Sequence, residues 1–378
     1  MRLLVPFGTR PEVVKLAPVV AALRARGYEV RALATGQHRD PRLADDFFAD
    51  LELVPDVRWQ LPETEAARVG AVLSGAYEEL AAWRPDAVIA LGDTHTVPLF
   101  GLAARRAGVP LVHLEAGLRS FNQRSLEETH RRTAAALASL HLAPTQLAAG
   151  VLESEGVDPR RVFVVGNPIT DAMVRFGPSR RDLSARRGVV FTAHRATTVD
   201  DTARLSMLVE CIVGLADEVG PVTFPVHPRT DERLRAHGSR ELLERHDNVT
   251  LVPPLRYRAM LEAVASASVV VTDSGGLQEE AAWLGVPVVV LRDSTCRWEG
   301  IVADTAALVG LDPQRAALEA KRFSSAEQQA RIAAVPCPYG DGHVADRIAR
   351  LLDEPSTRDL LRLDEPDFSR TLPALIAS

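Results

Sequence analysis

The sequence predicts an α/β fold in which two Rossmann-like domains face a central cleft. Short apolar runs alternate along the chain with longer amphipathic stretches, a pattern typical of buried parallel strands connected by helices. The alternation is present in the first half of the chain and is repeated in the second. The 378 residues suit about two domains. Since one sheet with so many strands would be unusually long, we expect two parallel sheets with helices on both faces.

The first domain is assigned to residues 1–170. Its apolar runs predict strands at residues 3–7, 30–34, 87–91, 111–113 and 162–165. Stretches between these strands have helical periodicity, for example residues 11–26, 66–83 and 127–140. Pro11 suits the first turn of a helix, where its missing N–H is harmless. The order of these segments predicts βαβ units in a parallel sheet.

The second domain is assigned to residues 171–354. Its strands are predicted at residues 189–192, 222–225, 249–251, 268–272, 286–291 and 307–309. The boundary is placed within residues 168–188, because the polar segment "GPSRRDLSARRG" there has the composition of a linker. A helix at residues 341–352 is expected to close this domain. Residues 355–378 form a weakly patterned tail, part of which is free to pack back on the N-terminal domain.

Composition excludes several classes of protein. Hydrophobic residues make up 46% of the chain and charged residues 25%, with acids and bases interleaved and a net charge of -6. This balance argues against a nucleic-acid binder that works by broad basic attraction. No apolar run approaches the roughly 20 residues of a membrane span, and the start "MRLLVPFGTRPE" is polar too soon for a signal peptide. The three cysteines lack CxxC spacing, which favours a reducing cytoplasm over a disulfide framework.

Polar residues follow the strands of the first half at the edge where such sheets bind ligands. Arg10, after the first strand, presents a guanidinium suited to phosphate or carboxylate, or is a surface residue at a helix start. Asp93 is a candidate acid or the N-cap of the next helix. Glu115 directly follows a buried strand and needs either a function or a partner, for which Arg119 is a candidate. Glu127 opens a helix, where opposing the helix dipole is the alternative explanation.

The second half ends two strands in histidines, His194 and His227, which points to the cleft although single histidines are often structural. After residues 268–272 comes Ser274-Gly275-Gly276, whose small residues before a helix expose N–H groups and form an anion cradle. Glu280 lies one turn further, where a carboxylate suits two ribose hydroxyls. Arg292 and Arg297 follow the next strand and suit a diphosphate. Neither GxGxxG nor a Walker motif occurs. The residues therefore predict a cleft enzyme for a nucleotide-linked substrate.

An ordered set of motifs then resembles one family. The set is "FGTRPE", "TGQH", "GDT", "HLEAGLRS", "EE..R", "GN...D", "HR", "PVHP", "DSGGLQEEA", "PVVVLRD" and "CPYGDG", and it covers about residues 1 to 352. The chain resembles the non-hydrolysing UDP-N-acetylglucosamine 2-epimerases. The resemblance implies a glycosyltransferase-B-like fold and the interconversion of UDP-GlcNAc and UDP-ManNAc by elimination and re-addition of UDP through a 2-acetamidoglucal.

The resemblance also implies roles for individual residues. Asp93, Glu115 and Glu127 match the acid–base carboxylates of the family, and His194 matches its active-site histidine. Gln37, His38 and Arg39 match part of a site at which a second UDP-GlcNAc activates many bacterial members. Nucleotide contacts are matched by Arg10, Lys15, Ser274, Gly275, Gly276, Glu280 and Arg297. The expected partner is a UDP-sugar alone, with no cofactor, metal, nucleic acid or membrane, and a cytoplasmic homodimer is implied.

Clustered acids beside a diphosphate are expected to include at least one carboxyl whose pKa is raised. The chain departs from the family pattern around the sugar and base pockets, which leaves the exact sugar nucleotide and the allosteric control open. The departures are Leu126, His130, Thr197-Thr198, Cys296, Trp298, Met260 and Leu255. Three alternatives stay open: a hydrolysing 2-epimerase that releases UDP and ManNAc, a glycosyltransferase with the same fold, and a non-catalytic UDP-sugar sensor.

Overall fold

A computed structural model describes residues 1–36, 48 and 51–364, and contains two parallel β-sheets. The first sheet has seven strands in the order β3-β2-β1-β4-β5-β6-β7. Every paired strand in it runs parallel to its neighbours. Its strands are β1 (Arg2–Phe7), β2 (Glu29–Ala34), β3 (Val57–Arg58), β4 (Ala87–Leu91), β5 (Leu111–Leu114), β6 (Leu140–Ala143) and β7 (Val162–Val164).

The second sheet has six parallel strands in the order β10-β9-β8-β11-β12-β13. Its strands are β8 (Val189–Thr192), β9 (Val222–Pro225), β10 (Val249–Val252), β11 (Val269–Thr272), β12 (Val288–Val290) and β13 (Ala306–Leu308). The central strands of both sheets are buried and rich in valine, leucine and isoleucine, as expected for sheets covered on both faces. The predicted fold class, an α/β protein with two such domains, is confirmed.

Helices connect the strands and cover the sheets. Those of the first half are α1 (Arg10–Ala25), α2 (Glu65–Trp83), α3 (Thr96–Arg106), α4 (Leu126–Leu137), α5 (Gln146–Ser154) and α6 (Ile169–Phe176). Those that follow are α7 (Ala196–Val199), α8 (Thr202–Glu218), α9 (Pro228–His237), α10 (Ser239–Glu244), α11 (Tyr257–Ser266), α12 (Gly275–Leu284), α13 (Trp298–Val302), α14 (Pro313–Ser324), α15 (Ala326–Ala334), α16 (Val344–Asp353) and α17 (Pro355–Leu360). Short 3₁₀ turns lie at Pro159–Arg161 and Leu183–Ala185.

Strand order reverses at one place in each sheet. In the first sheet, β1 lies between β2 and β4; in the second, β8 lies between β9 and β11. Ligands of open α/β sheets bind beyond the carboxyl ends of the strands at such a reversal. The loops after β1, β4, β8 and β11 are therefore expected to line a site, and they carry Arg10, Asp93, His194 and Ser274; Glu115 follows β5, which is next to β4.

Two strands were missed by the sequence analysis. The strand β6 follows the alanine-rich end of α4, and the run "AAALASLHLA" contains no glycine or proline to separate helix from strand, so periodicity alone merged the two. The strand β3 has only two residues and pairs with the end of β2. Strands this short carry too few residues to show an alternating pattern.

The helix α16 packs against α1, a helix of the first sheet, although we expected it to close the second domain. Arg26 at the end of α1 bonds Asp346 and Asp353 at 3.1 and 3.0 Å, and the Tyr28 hydroxyl donates to Asp353 at 2.6 Å. In the segment predicted as a tail, the Leu360 carbonyl accepts a bond from Arg161 at 2.6 Å. The division into residues 1–170, 171–354 and 355–378 stays a prediction. Of the helices within the described ranges, none is both long and apolar enough to cross a membrane.

Candidate active site

Glu12 joins the loops that follow β1 and β4. One of its carboxylate oxygens accepts bonds from the N–H groups of Gly8 at 3.0 Å and Thr9 at 2.7 Å, which completes a capping box at the start of α1. The other oxygen accepts from the Thr94 hydroxyl at 2.9 Å. Burial raises the pKa of Glu12 to about 7, against the effect of these bonds. Arg10, the predicted phosphate ligand, is the first residue of α1, and its side chain is exposed.

Asp93 is held at two points by α4. Its carboxylate pairs with Arg131, and its main-chain carbonyl lies 2.8 Å from Nδ1 of His130. The N-cap of α3 is His95, so the alternative interpretation of Asp93 as that cap is wrong. Burial alone would raise the pKa of Asp93, but the charges of Arg131 and Arg297 outweigh it and lower the pKa below its usual range. Asp93 is therefore an anion fixed in place beside two guanidinium groups.

Glu115 stands at the carboxyl end of β5 in a left-handed backbone conformation, with φ of 61°. This conformation is uncommon for a residue other than glycine and occurs preferentially at functional sites. Oε1 of Glu115 is bonded by the Lys15 ammonium and by the Asn167 side-chain amide. Arg119 was a candidate partner, but it forms a two-point pair with Glu155 at 3.1 and 2.7 Å.

A buried ionic cluster joins the two sheets at this point. Glu279 of α12 lies 2.7 Å from Lys15 of α1, and it accepts bonds from Asn167 at 3.1 Å and Arg297 at 2.8 Å. Glu115 completes the cluster, so two carboxylates face two cations. Burial favours the neutral acid, but the charges of Lys15 and Arg297 lower the pKa of Glu115. Charges buried this deeply are tolerated in proteins only when they are paired.

Glu127 lies in the first turn of α4 and is exposed, with Oε2 accepting a bond from the Ser125 hydroxyl at 2.5 Å. Partial burial opposes ionisation, but the Ser125 bond favours it, and the pKa is lowered; the charge of Asp93 acts in the opposite direction. The next residue, Glu128, is buried and accepts bonds from the Ser120 N–H at 2.8 Å and from Arg131 at 3.0 Å. Glu128 and Arg131 thus fix the segment that presents Glu127.

The expected raised pKa is not found among Asp93, Glu115 and Glu127. Each of the three has a lowered pKa, since cationic side chains or a hydroxyl donor outweigh burial. Raised values occur instead at Glu12 and Glu280, where burial dominates. The three candidate carboxylates are therefore ionised near neutral pH and suited to accept a proton.

His194 follows β8 and is positioned by Asp273, which follows the neighbouring strand β11. Asp273 is fully buried, accepts the N–H of His194 at 3.0 Å, and lies 3.3 Å from its Nδ1. The imidazole itself is partly exposed, at 44%. A second bond to Asp273, from the N–H of Arg195 at 2.9 Å, fixes the loop. His227 has a structural contact, since its ring accepts the Arg229 N–H at 3.2 Å at the start of α9, 5.6 Å from the His194 ring.

Ser274, Gly275 and Gly276 form the start of α12, as the sequence predicted for an anion cradle. Ser274 is the N-cap, and its side chain makes no capping bond. A Cβ added to Gly275 would lie 3.4 Å from the Arg297 guanidinium, whereas one added to Gly276 would meet nothing within 4 Å. The positive end of the α12 dipole and a guanidinium thus occur together, which suits a phosphate. Glu280, one turn further, is buried beside Tyr257, and burial raises its pKa to about 7.

The residues that depart from the family pattern lie in different surroundings. Trp298 donates its indole N–H to the Arg119 carbonyl at 2.9 Å, and Cys296 is buried among Leu118 and alanines of the first half. Both therefore join the two halves of the chain. Met260 packs against the main core, and His130 contacts Asp93. Thr198 is buried, Leu255 is half-buried, and Leu126 and Thr197 are exposed. Gln37, His38 and Arg39 lie outside the described residues, and their assignment stays a prediction.

Several residues of the site were missed as individual candidates. Asn167, Glu279, Arg131 and Asp273 are all buried, and each contacts a residue that the sequence analysis did select. They lie within the quoted motifs "GN...D", "DSGGLQEEA" and "EE..R". Most of these contacts join distant segments: Arg131 pairs with Asp93, 38 positions away, and Glu279 pairs with Lys15 near the start of the chain, which a linear pattern does not reveal. No group of side chains suited to a metal ion occurs within residues 1–36, 48 and 51–364.

Comparisons with known proteins identify the family of this chain. A family model described as UDP-N-acetylglucosamine 2-epimerase matches residues 21–353. The UDP-N-acetylglucosamine 2-epimerase of Methanocaldococcus jannaschii is 31% identical over 367 residues, covering 93% of this chain and 99% of that protein. The enzyme of the same name from Escherichia coli K12 is 32% identical over 374 residues, covering 93% and 98%.

Solved structures give the same result. The crystal structure of the M. jannaschii UDP-GlcNAc 2-epimerase in complex with UDP-GlcNAc and UDP superposes with a TM-score of 0.84 at 31% identity, covering 93% of this chain and 99% of that one. The Neisseria meningitidis UDP-GlcNAc 2-epimerase bound to UDP-GlcNAc gives 0.82 at 28% identity, with the same coverage. The chain belongs to the UDP-N-acetylglucosamine 2-epimerase family.

Proposed function

We propose that this member of the UDP-N-acetylglucosamine 2-epimerase family interconverts UDP-GlcNAc and UDP-ManNAc without hydrolysis. Family membership supports the substrate, and relatives of similar fold bind UDP-GlcNAc and UDP. The observation that carries the proposal is the convergence of ionised carboxylates from the first sheet with the phosphate cradle of the second. Arg297 makes the connection, since it lies beside Gly275 of the cradle and acts on the charges of Asp93 and Glu115.

The proposed route is elimination followed by re-addition. A carboxylate takes the proton from C2, the electrons of the C2–H bond form the C1=C2 double bond, and UDP departs with the electrons of the C1–O bond. A proton then adds to C2 of the 2-acetamidoglucal from the opposite face, and UDP attacks C1. Inversion at C2 requires acid–base groups on two faces, which fits the presence of Asp93, Glu115 and Glu127. Positioned acid–base groups contribute roughly 10²–10⁴-fold each.

In this proposal, departing UDP gains one negative charge on its β-phosphate, close to the start of α12. The N–H groups of Gly275 and Gly276 and the guanidinium of Arg297 suit this charge, and Arg10 and His194 are proposed to add to it. Glu280 is proposed to accept the ribose hydroxyls. Lys15, assigned to the nucleotide by resemblance, has an ammonium that pairs with Glu115 and Glu279, so its proposed effect on UDP is electrostatic.

The proposal is tested by incubating the purified protein with UDP-GlcNAc and following ³¹P and ¹H NMR spectra. UDP-ManNAc at equilibrium with UDP-GlcNAc, with the diphosphate–sugar bond intact, is the expected result. A steady rise of free UDP together with free ManNAc would instead identify the hydrolysing reaction. Bound UDP-GlcNAc without any product, in the presence of added UDP, would favour a sensor.

We also propose that the protein is a homodimer, as the family resemblance implies, and that it is cytoplasmic. The three cysteines of the chain are unpaired, as in proteins of a reducing compartment. Light scattering coupled to size exclusion tests the oligomeric state, and a mass near the 41.0 kDa of one chain would contradict the dimer.

A further inference from the structure

Asn167 is a buried amide that contacts carboxylates from both halves of the molecule. It follows β7 and is 0% exposed. Its Nδ2 donates to Oε1 of Glu115 at 2.6 Å and to Oε1 of Glu279 at 3.1 Å. Its Oδ1 accepts the N–H of Ile169 at 3.0 Å at the start of α6. Three bonds therefore fix the amide, and its donor group is shared between two acids.

Glu279 is 0% exposed and has no direct route to a substrate in the cleft. Its side chain contacts Lys15 at 2.7 Å and Arg297 at 2.8 Å in addition to Asn167. Both Lys15 and Asn167 in turn bond Glu115. Glu279 thus acts on Glu115 through two intermediates, and on the cradle through Arg297.

The two oxygens of Glu115 differ in their surroundings. Oε1 accepts hydrogen bonds from both the Lys15 ammonium and the Asn167 side-chain amide. Oε2 faces the loop after β4, where a Cβ added to Gly92 would lie 3.4 Å from it. Gly92 precedes Asp93, so Oε2 lies next to the loop that carries the other candidate acid–base group. An oxygen that already accepts two strong hydrogen bonds is a weak proton acceptor, because each bond stabilises its negative charge.

We propose that Asn167 and Glu279 are positioning residues that hold Oε1 of Glu115, so that Oε2 is the atom that exchanges the proton at C2. The inference rests on the proposed function. In the elimination, the C2 proton moves to Oε2 while the C2–H electrons form the C1=C2 bond and UDP leaves with the C1–O electrons. In re-addition, a proton from the opposite face adds to C2 with the electrons of the C1=C2 bond, UDP re-forms the C1–O bond, and Oε2 returns its proton to solvent, so no further reactant is needed.

Two variants change the charge environment of Glu115 in opposite directions. Asn167→Ser keeps a hydroxyl that can accept the Ile169 N–H but is too short to reach both acids, so Glu115 loses a donor and becomes easier to protonate. Glu279→Gln keeps its shape but removes a negative charge, so Lys15 acts on Glu115 alone and protonation becomes harder. Loss of a charged partner or of a hydrogen-bond donor shifts the pKa of a carboxyl group by about one unit or more.

The experiment records kcat/KM for UDP-GlcNAc epimerisation against pH for the wild type and both variants. The acid limb is the low-pH side of this profile, where activity falls as the catalytic carboxylate is protonated. It is expected to move up by about one pH unit in Asn167→Ser and down in Glu279→Gln. On the acid side of the limb, kcat of Asn167→Ser should fall by up to about tenfold relative to the wild type, the largest change that a one-unit shift in pKa produces, while KM stays within about threefold. Gln329→Ala is the control, because Gln329 is a buried amide bonded to the main chain of Ser268 and Phe323. It should lower thermal stability and leave the acid limb in place.

Folding of each variant is checked by thermal unfolding. Folded variants whose acid limb is unmoved, or moves the same way in both, would overturn the inference alone. A wild-type protein that epimerises no UDP-GlcNAc would overturn the proposed function together with the inference. If one variant fails to fold, the direction in which the acid limb moves in the other variant still tests the inference.

Discussion

Lys15 and Glu279 form an ion pair at 2.7 Å between α1 of the first sheet and α12 of the second, and both side chains are at most 5% exposed. Lys15 pairs with Glu115 as well, so the same ammonium contacts a carboxylate from each half of the molecule. The pair lies directly behind the candidate site. Relative placement of the carboxylates and the phosphate cradle therefore depends on an interaction in the protein interior.

Lys15→Ala is expected to lower the free energy of unfolding by about 3–5 kcal/mol, because Glu115 would be left buried without its paired cation and Glu279 would keep only Arg297. Denaturant unfolding measures the effect. Arg181→Ala is the matched control, since Arg181 pairs with Glu262 at 2.6 Å but both are about half exposed. That change should cost less than about 1 kcal/mol. Equal effects of the two substitutions would show that the buried cluster adds no stability.

Glu115→Gln should reduce turnover by at least about a hundredfold, since the amide cannot accept a proton from C2. UDP affinity, measured by calorimetry, is expected to stay within a few-fold, because Glu115 is proposed to act on the sugar and not on the nucleotide. Glu262→Gln at the surface serves as control and should be as active as the wild type. A large loss of UDP binding in Glu115→Gln would mean that Glu115 has a structural role.

Ser274→Asp is expected to weaken UDP binding at least about tenfold, because a carboxylate at the start of α12 repels the diphosphate. Aspartate is a good N-cap, so the helix should still form. Ser325→Asp makes the same change at the N-cap of α15, and there UDP affinity should not change. Undiminished affinity in Ser274→Asp would exclude the cradle from the binding site.

Glu280→Gln should reduce the pH dependence of stability. Burial raises the pKa of Glu280 from 4.5 to about 7. Below 4.5 the acid is neutral in both states; as pH rises toward 7, only the unfolded chain releases its proton, so the folded state loses stability. The wild-type melting temperature should therefore fall more than that of Glu280→Gln between about pH 5 and about pH 8.

Glu12 has a pKa raised in the same way, so part of the fall should persist in the variant. Glu262→Gln, at an exposed position, should reproduce the wild-type dependence. If melting temperature falls with pH equally steeply in the wild type and in Glu280→Gln, the raised pKa of Glu280 is contradicted.

Much of the fold followed from local sequence, because parallel strands buried on both faces are continuous apolar runs that end in small or polar residues. The start of α12 was predictable from local sequence as well. The strand β11 ends at Thr272 and the helix begins at Gly275, so both boundaries lie within a few positions of each other. The packing of α16 on α1 was not predictable, because an amphipathic helix shows that one face is buried but not which surface covers it.

The candidate site was predictable where a residue stands at a strand end, as Asp93, Glu115 and His194 do. Their partners were harder to identify. Charge alone favoured Arg119 as the partner of Glu115, because it is only four positions away; the structure instead brings Lys15 from 100 positions earlier. Such pairings depend on how strands and helices pack, and local spacing does not encode them.

The central claim is reversible proton exchange at C2 with retention of the nucleotide, and deuterium incorporation tests it most directly. UDP-GlcNAc and, separately, UDP-ManNAc would be incubated with the protein in deuterated water and followed by ¹H NMR. The account predicts loss of the C2 proton signal from both sugars and the same equilibrium mixture from either side, without accumulation of free UDP. Conversion that retains the original C2 proton, or no conversion from either side, would contradict it.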